Sequence, residues 1–249
     1  MDRFKNKVVV ISGGNSGIGL ETVKQFLNEG AKVVFSGRRQ EALDAVSSEL
    51  QGEFLAVLAD QGKIEDNSKL IDAAVAAYGQ IDVLFVNAGV AYFVPAEQID
   101  EDHFDSQFNI NIKGPAFLVK SAIPHLKDGG AIIFNSSIVH LKGFEASAIY
   151  SATKGALRAY SKVLTTELAP RKIRVNVVAP GPIATPIYDK IGMPAEAVDE
   201  MGKGFAAANP LKRFGGPQEI ASAVLYLASD EASYVNGIEL AIDGGVSQI

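Results

Sequence analysis

Short apolar runs rich in β-branched residues alternate with longer amphipathic segments along most of this sequence. Seven such runs predict strands, at Val8–Ile11, Lys32–Phe35, Glu53–Leu58, Val83–Val86, Ala131–Phe134, Arg174–Val178 and Ile238–Ala241. Apolar residues three and four positions apart predict helices between them, as at Leu20–Asn28, Glu41–Leu50 and Ile64–Tyr78. Because most strand runs are continuously apolar, helices are expected on both faces of the sheet. The pattern predicts an α/β fold with a doubly wound, seven-stranded parallel sheet.

The alternation is lost between residues 186 and 213, where Pro, Gly and Met mix with small residues. In an α/β protein an irregular insert of this length is more often a lid or ligand-binding loop than a structureless connection. No repeat, low-complexity tract or Pro-rich linker interrupts the rest of the sequence. We therefore expect one domain over residues 1–249, with 186–213 as a substrate loop within it.

A glycine-rich turn follows the first predicted strand and opens the next helix, reading Ser-Gly-Gly-Asn-Ser-Gly-Ile-Gly from Ser12 to Gly19. Glycines let the backbone approach a pyrophosphate closely, and a helix N-terminus offers unpaired N–H donors. The spacing departs from Gly-x-Gly-x-x-Gly, and Leu20 stands where a phosphate loop would continue. The turn predicts a dinucleotide phosphate site, with packing alone as the alternative. The residues of that site would be Gly13, Asn15, Ser16, Gly17, Ile18 and Gly19.

Two arginines follow the second predicted strand, in the order Gly37, Arg38, Arg39. Doubly wound proteins that bind NAD place a carboxylate near the end of the second strand, where it hydrogen-bonds the ribose 2′-hydroxyl. An Arg guanidinium instead binds a 2′-phosphate through parallel hydrogen bonds. A solvated helix start is the alternative, but cations oppose the macrodipole at a helix N-terminus, so a bound anion accounts better for the pair. Arg38 and Arg39 therefore predict NADP(H) rather than NAD(H).

Composition and charge exclude several other functions. The 249 residues carry a formal charge of −6 with Lys and Arg scattered, which argues against a nucleic-acid partner. There is no Cys, and His103, His125 and His140 lie too far apart for a paired metal motif, so no metal site is predicted. The first apolar run, Val8–Ile11, is too short for a signal segment or a membrane span. We expect a cytoplasmic protein with no membrane partner.

A tyrosine and a lysine, Tyr150 and Lys154, are spaced to lie on one face of a helix. A phenol is a poor acid near neutrality, with an ordinary pKa of about 10. A nearby ammonium stabilises the phenolate and is expected to lower that pKa, as is the positive nicotinamide of an oxidised cofactor. By itself the pair is weak evidence, because Tyr and Lys at this spacing are common on solvent-facing helices.

Further motifs along the sequence indicate that Tyr150 and Lys154 are functional. In order along the chain they are the glycines Gly13, Gly17 and Gly19, then Asn87-Ala88-Gly89, Asn111, Ser137, Tyr150 with Lys154, Pro180-Gly181 and Asp243-Gly244-Gly245. Together they resemble the short-chain dehydrogenase/reductase family, which has a Rossmann-type fold, over essentially the whole sequence. The sequence departs from the family's motifs at two positions. Val86 replaces the first Asn of the family's Asn-Asn-Ala-Gly, and Ser12 replaces its leading Thr.

The resemblance implies a catalytic set of Asn111, Ser137, Tyr150 and Lys154. Ser137 would polarise the substrate oxygen, with Ser136 as the rival for this role. Asn111 would hold a water against Lys154, although without the family it is only a polar helix residue bonded to a nearby carbonyl. Lys154 would also bind the nicotinamide ribose beside Tyr150. Further cofactor contacts are implied for Asp60, Gln61, Asn87, Ala88, Gly89, Pro180, Gly181, Ile183 and Thr185.

The resemblance implies an NADP(H)-dependent oxidoreductase that transfers hydride between nicotinamide C4 and a carbonyl or secondary alcohol, and a homotetramer. The pocket segments are largely apolar, which favours a ketone reductase. A 3-oxoacyl-carrier-protein reductase and a sugar dehydrogenase are the alternatives, and a non-catalytic NADP-binding regulator is a different class. A hydrolase is disfavoured because Ile18 breaks the nucleophile elbow around Ser16. The predicted substrate residues are Ser137, Val139, His140, Phe144 and Tyr188.

Overall fold

The computed structural model describes residues 3–187 and 195–249. Seven strands form one sheet in the order β3-β2-β1-β4-β5-β6-β7, and every neighbouring pair is parallel. The strands are β1 Val8–Ile11, β2 Lys32–Gly37, β3 Phe54–Leu58, β4 Ile81–Val86, β5 Leu126–Asn135, β6 Arg174–Pro180 and β7 Glu239–Ile242. The predicted doubly wound parallel sheet is confirmed. The predicted strands agree with these bounds within a few residues, except that β5 begins five residues earlier.

Helices cover both faces of the sheet. They are α1 Gly17–Asn28, α2 Gln40–Ser47, α3 Ile64–Tyr78, α4 Glu101–Phe108, α5 Gly114–Ala122, α6 Ala148–Glu167, α7 Ala195–Ala208 and α8 Pro217–Ala228. Apolar residues of α3, α5 and α6 pack with the sheet in one buried cluster, exemplified by Leu70, Leu118 and Leu157. Those of α1, α2 and α8 pack in a second cluster on the opposite face, exemplified by Phe26 and Val224. This two-sided burial explains the continuously apolar strand runs.

One part of the predicted insert is regular. The expectation of an irregular stretch over 186–213 is wrong for Ala195–Ala208, which form α7. Val198, Met201 and Phe205 recur three and four residues apart, which is a helical period that the flanking glycines and alanines obscured. Tyr188, one of the predicted substrate residues, lies outside the described residues.

The carboxyl edge of the sheet gathers the predicted functional segments. The glycine turn follows β1, the two arginines follow β2, the Asn-Ala-Gly loop follows β4 and the serines follow β5. The strand order reverses direction between β1 and β4. In open α/β sheets ligands bind at such a switch point, outside the carboxyl ends of the strands. The topology thus brings segments distant in sequence to one cleft.

Among residues 3–187 and 195–249, no helix combines the length and the apolar character needed to cross a membrane.

Candidate active site

Close backbone contacts shape the glycine turn between β1 and α1. Gly13 and Gly17 have φ angles of +68° and +53°, which favour glycine over any residue with a side chain. A Cβ atom at Gly13 would lie 3.0 Å from the Cα of Ala88, and one at Gly19 would collide with the Gly13 carbonyl oxygen. The turn therefore has no room for side chains at these positions, and the loop after β4 packs directly against it.

Ser12 and Asn87 hold these two loops together. The Ser12 hydroxyl oxygen accepts hydrogen bonds from the main-chain N–H groups of Asn87 and Ala88, at 3.0 and 3.1 Å. The Asn87 side-chain amide donates to the carbonyl oxygens of Ser12 and Gly13, both at 3.0 Å. The serine found in place of the family's Thr thus keeps the hydroxyl contact. Val86, the other departure, is buried in the core.

The N-terminus of α1 has the chemistry of an anion site. Ser16 precedes the helix without a side-chain hydrogen bond to it, and the first turn carries no acidic residue. The first N–H groups of a helix lack intrahelical partners and lie at its positive end. A Cβ atom at Gly17 would lie 3.3 Å from the side chain of Thr185, so that residue lies beside the turn. These features fit the pyrophosphate of a dinucleotide.

Arg38 and Arg39 are exposed at the carboxyl end of β2, and Arg39 is the N-cap residue of α2. Within the part of the chain that the structure describes, neither guanidinium has a hydrogen-bond or ion-pair partner. Gly37, just before them, lies against Asn15, since a Cβ atom there would be 2.8 Å from the Asn15 side chain. The glycine turn and the two free cations are therefore neighbours.

Two of the predicted adenine-side residues are engaged with the protein. An Asp60 carboxylate oxygen accepts a hydrogen bond from the N–H of Gly62 at 2.9 Å. The Gln61 amide donates to the carbonyl oxygens of Ala88 and Ile110, at 2.7 and 3.0 Å. Its own oxygen is buried and has no hydrogen-bond partner among the described residues. Gln61 therefore ties the β3 end to the β4 loop and retains one unused acceptor.

The remaining predicted cofactor residues lie at the end of β6 and beyond it. Pro180 is the last residue of β6, and a Cβ atom at Gly181 would lie 2.7 Å from the Cα of Asp243. Ile183 is buried in the core on the α1 face. The Asp243 carboxylate accepts hydrogen bonds from the N–H groups of Gly245 and Ser247, at 2.9 and 2.7 Å. The Asp243-Gly244-Gly245 segment thus packs against the Pro180-Gly181 turn.

Tyr150 lies in the first turn of α6 and is 9% exposed. Burial raises the pKa of its phenol to about 12, and a hydrogen bond with the Ser137 side chain opposes part of the shift. Ser136, the rival serine, directs its hydroxyl to the carbonyl oxygen of Lys154 at 3.4 Å. Ser137 is therefore the serine whose hydroxyl meets the phenol.

Lys154 lies one helical turn after Tyr150, as its spacing predicts. Its ammonium donates a hydrogen bond to the main-chain carbonyl oxygen of Asn135 at 2.8 Å, and its Nζ atom lies 5.6 Å from the centre of the Tyr150 ring. Burial lowers the pKa of Lys154 to about 8. A Cβ atom at Gly89 would lie 3.6 Å from that Nζ atom, so the β4 loop borders the ammonium.

The expectation that the ammonium lowers the pKa of the phenol is wrong for this structure. Loss of solvation dominates at Tyr150, and the Ser137 hydrogen bond is the one influence that lowers its pKa. The Lys154 ammonium is directed at the Asn135 carbonyl oxygen, and its own charge is disfavoured by burial. Sequence spacing places the two groups on one face of the helix but carries no information about their solvation.

Asn111 is buried in a π-helical turn, Asn109–Lys113, between α4 and α5. Its side-chain oxygen accepts from the N–H of Val90 at 2.9 Å, and its amide donates to the Val90 carbonyl oxygen and to the Thr153 hydroxyl, at 2.9 and 3.1 Å. The side chain thus joins the β4 loop to α6 beside Lys154. Single π-helical turns occur often at functional sites.

Aromatic contacts occur at Tyr150 and in the turn after β5. Phe93 packs edge-on against Tyr150, with ring centroids 5.9 Å apart. Phe144 makes a similar edge contact with Phe205 of α7, also at 5.9 Å. Val139, which is half-buried, donates its N–H to the Ser137 hydroxyl oxygen at 3.3 Å. The space next to the phenol is therefore bordered by apolar groups.

His140, another predicted substrate residue, contacts the main chain of Ser137 and the last strand of the sheet. Its Nδ1 atom lies 2.6 Å from the Ser137 carbonyl oxygen, and its Nε2 atom lies 3.1 Å from a carboxylate oxygen of Glu239 in β7. Both ring nitrogens are thus engaged by protein oxygens. Among the described residues, no group of three or more His, Asp or Glu side chains is arranged to hold a metal ion.

Sequence reasoning assigned no role to Asn135 or Thr153. Asn135 supplies the carbonyl oxygen that binds Lys154, and its side-chain amide donates to the Asn87 side chain at 2.9 Å. Thr153 anchors Asn111 to α6. A polar residue directly after the apolar run Ala131–Phe134 is a signal that could have identified Asn135, whereas Thr153 gives no comparable signal.

Comparisons with known proteins match nearly the whole chain. A family model described as enoyl-(acyl carrier protein) reductase matches residues 13–247. An uncharacterised oxidoreductase of Methylorubrum extorquens is 41% identical over 250 residues, covering 99% of this chain and 100% of the relative. A Brucella melitensis short-chain dehydrogenase/reductase, described as a glucose/ribitol dehydrogenase, superposes with a TM-score of 0.92 at 33% identity over 98% of both chains. A 3-ketoacyl-(acyl-carrier-protein) reductase from the same organism, complexed with NADH, gives 0.90 at 33% identity over 98% of this chain and 99% of the other.

The lowered pKa of Lys154 predicts a pH-dependent stability. Between about pH 8 and 10.5 the folded protein has released this proton while the unfolded chain still holds it. The unfolded state then binds more protons, so the contribution of Lys154 to the free energy of unfolding rises with pH, by up to about 3 kcal/mol across this window. Lys154→Met cannot titrate and should lack the rise, which urea unfolding at several pH values would measure.

The control is Lys162→Met, an exposed lysine on the same helix, which should keep the wild-type dependence on pH. If the difference in the free energy of unfolding between wild type and Lys154→Met stayed constant over this pH range, that would contradict a pKa of Lys154 lowered by burial.

Proposed function

Because the chain belongs to the short-chain dehydrogenase/reductase family, whose members are oxidoreductases that bind a nicotinamide cofactor, we propose that it is an NADP(H)-dependent reductase of ketones and related carbonyl compounds. The observation that carries the proposal is the hydrogen-bonded pair of Tyr150 and Ser137, buried next to the Lys154 ammonium at the carboxyl edge of the sheet. A proton donor, an oxygen-binding hydroxyl and a cation lie together there, beside the anion-binding turn.

The cofactor would be held by groups on either side of the switch point. The N–H groups at the start of α1 would bind the pyrophosphate, and Thr185 beside Gly17 would meet the nicotinamide end. Lys154 would bind the nicotinamide ribose, which gives its buried ammonium a polar partner in addition to the Asn135 carbonyl oxygen. The unused oxygen of Gln61 supports an adenine-side contact. When bound, the nicotinamide supplies or accepts the hydride.

The preference for NADP(H) rests on Arg38 and Arg39. Both side chains are exposed beside the glycine turn and have no partner in the described part of the chain. Their guanidinium groups are therefore available to bind a phosphate. Gly37 occupies the position at which an NAD-specific protein carries its carboxylate. The 2′-phosphate of NADP(H) would neutralise the guanidinium groups without opposition from an acidic side chain there.

Tyr150 would donate the proton to the substrate oxygen. With a pKa near 12 the phenol keeps its proton at neutral pH, which is the form needed for carbonyl reduction. Ser137 would donate a hydrogen bond to the same oxygen as negative charge develops on it. Asn111 would hold a water against Lys154, and the two would relay a proton from solvent back to the phenolate after transfer.

The substrate would be a carbonyl compound with an apolar or aromatic body. Phe93 packs edge-on against Tyr150, and Phe144 in the turn after β5 packs against Phe205 of α7, so an apolar substrate body would find aromatic partners in these segments. His140, in the turn after β5, is engaged by Glu239. This environment favours an apolar ketone over a sugar, which would need polar partners.

Removing the phenolic hydroxyl should abolish reduction. With NADPH and a panel of apolar ketones, loss of NADPH absorbance should identify a substrate, and Tyr150→Phe should lower kcat by roughly a thousandfold because the proton donor is lost. NADPH affinity should stay nearly unchanged. Tyr160→Phe, on the same helix but packed against Phe134, should keep wild-type kcat. Full activity in Tyr150→Phe would refute the assignment, and no turnover of any carbonyl compound would favour a regulator.

Reversing the charge at Arg38 should change the cofactor preference. Arg38→Asp removes a phosphate-binding group and places a carboxylate near the 2′ position, so the ratio of kcat/KM for NADPH to that for NADH should fall by about a hundredfold. Lys162→Asp, the same charge change on an exposed face of α6, should leave the ratio unaltered. An unaltered ratio in Arg38→Asp would count against a 2′-phosphate site.

A further inference from the structure

A buried chain of charged groups leads from the Ser137 turn to the last strand of the sheet. His140 Nδ1 lies 2.6 Å from the Ser137 carbonyl oxygen, and His140 Nε2 lies 3.1 Å from Glu239 Oε2. The His140 and Glu239 side chains are only 10% and 11% exposed. Glu239 Oε1 is buried as well and makes no hydrogen bond of good geometry in the described part of the chain. The proposed roles of the cofactor and substrate residues use neither side chain.

The chemistry of these contacts relates them to the protonation of the imidazole. A main-chain carbonyl oxygen and an ionised carboxylate can only accept hydrogen bonds. Both ring nitrogens of His140 face such oxygens, so both contacts are hydrogen bonds only when both nitrogens carry a proton. A neutral imidazole would satisfy one of the two partners and present a lone pair to the other.

Arg158 connects the same carboxylate to the catalytic helix. Its Nε atom lies 3.5 Å from Glu239 Oε2, and its terminal nitrogen donates to the Gly237 carbonyl oxygen at 3.0 Å. In α6, Arg158 follows Lys154 by one further turn, so Tyr150, Lys154 and Arg158 share a face of the helix. Glu239 thus lies between the Arg158 guanidinium on α6 and the His140 ring in the turn after β5.

We propose that His140 is a positioning residue, which holds the Ser137 turn at the distance from α6 that the Tyr150–Ser137 hydrogen bond requires. This proposal rests on the proposed function. The imidazolium holds the Ser137 carbonyl oxygen on one side and Glu239 on the other, while Arg158 fixes Glu239 to α6. The Ser137 hydroxyl and the Tyr150 phenol are thereby positioned by a second connection, independent of the Lys154–Asn135 hydrogen bond.

The protonation state can be tested without any substrate. The chain has three histidines, so the ring nitrogens of His140 can be assigned in ¹⁵N NMR spectra by comparison with His140→Gln. Near neutral pH the wild type should show two protonated ring nitrogens at His140, and Glu239→Gln should show one. Glu53→Gln, which alters an exposed ion pair with Lys32, should leave the His140 signals unchanged. A singly protonated His140 in the wild type would overturn the proposal.

Kinetics test the positioning role itself. His140→Gln and Glu239→Gln should each lower kcat about tenfold, because small misplacements of a reacting group are costly, while KM for NADPH stays unchanged. His125→Gln, at the opposite edge of the sheet, should behave as wild type. Wild-type kcat in His140→Gln would overturn the proposal. If no carbonyl compound were turned over, the proposed function would fail, and the NMR spectra would still decide whether the imidazolium bridge exists.

A double variant separates positioning from stability. Glu239→Leu alone strands a buried imidazolium, so its Tm should fall, whereas His140→Leu combined with Glu239→Leu removes both charges and should recover most of the loss. Positioning requires the hydrogen bond to the Ser137 carbonyl oxygen, so kcat should stay low in the double variant. Recovery of kcat together with Tm would show a purely structural role and would overturn the proposal.

Discussion

The Lys154 ammonium is a buried charge, and the hydrogen bond that accommodates it determines the arrangement around it. An ammonium withdrawn from water is costly to the fold unless a well-placed acceptor receives it. The acceptor is the main-chain carbonyl oxygen of Asn135, the last residue of β5. This bond ties α6 to the carboxyl edge of the sheet. It thereby places Tyr150, one turn earlier in the helix, against Ser137, which follows the same strand.

Burial shifts the pKa values of Tyr150 and Lys154 in opposite directions. The pKa of Tyr150 rises to about 12 and that of Lys154 falls to about 8, because a dry environment disfavours both charged forms. Under the proposed function, the phenol therefore keeps its proton until a developing negative charge on a bound oxygen takes it. Under the proposed function, the low dielectric also strengthens the Ser137 hydrogen bond to that oxygen.

Local patterns in the sequence were enough to predict the sheet and most of the loops at its carboxyl edge. The apolar runs located the seven strands, and parallel topology then requires the glycine turn, Arg38, Asn87 and Ser137 to meet at one edge. The helix α7 was missed because glycine and alanine dilute its apolar period. The pKa of Tyr150 was predicted in the wrong direction because solvation depends on the packed structure. The His140–Glu239 contact joins residues 99 positions apart, a pairing that no local spacing reveals.

Burial keeps the Tyr150 phenol protonated in the protein alone, and under the proposed function the positively charged nicotinamide of NADP⁺ lowers its pKa, which an ultraviolet difference titration of tyrosine ionisation would measure. Wild type and Tyr150→Phe would be titrated alone and with saturating NADP⁺, so that their difference isolates one phenol. We expect this phenol to resist ionisation up to strongly alkaline pH in the protein alone and to ionise at a clearly lower pH with NADP⁺. A phenol that ionises like a free tyrosine in the protein alone, or whose ionisation NADP⁺ leaves unchanged, would contradict this expectation.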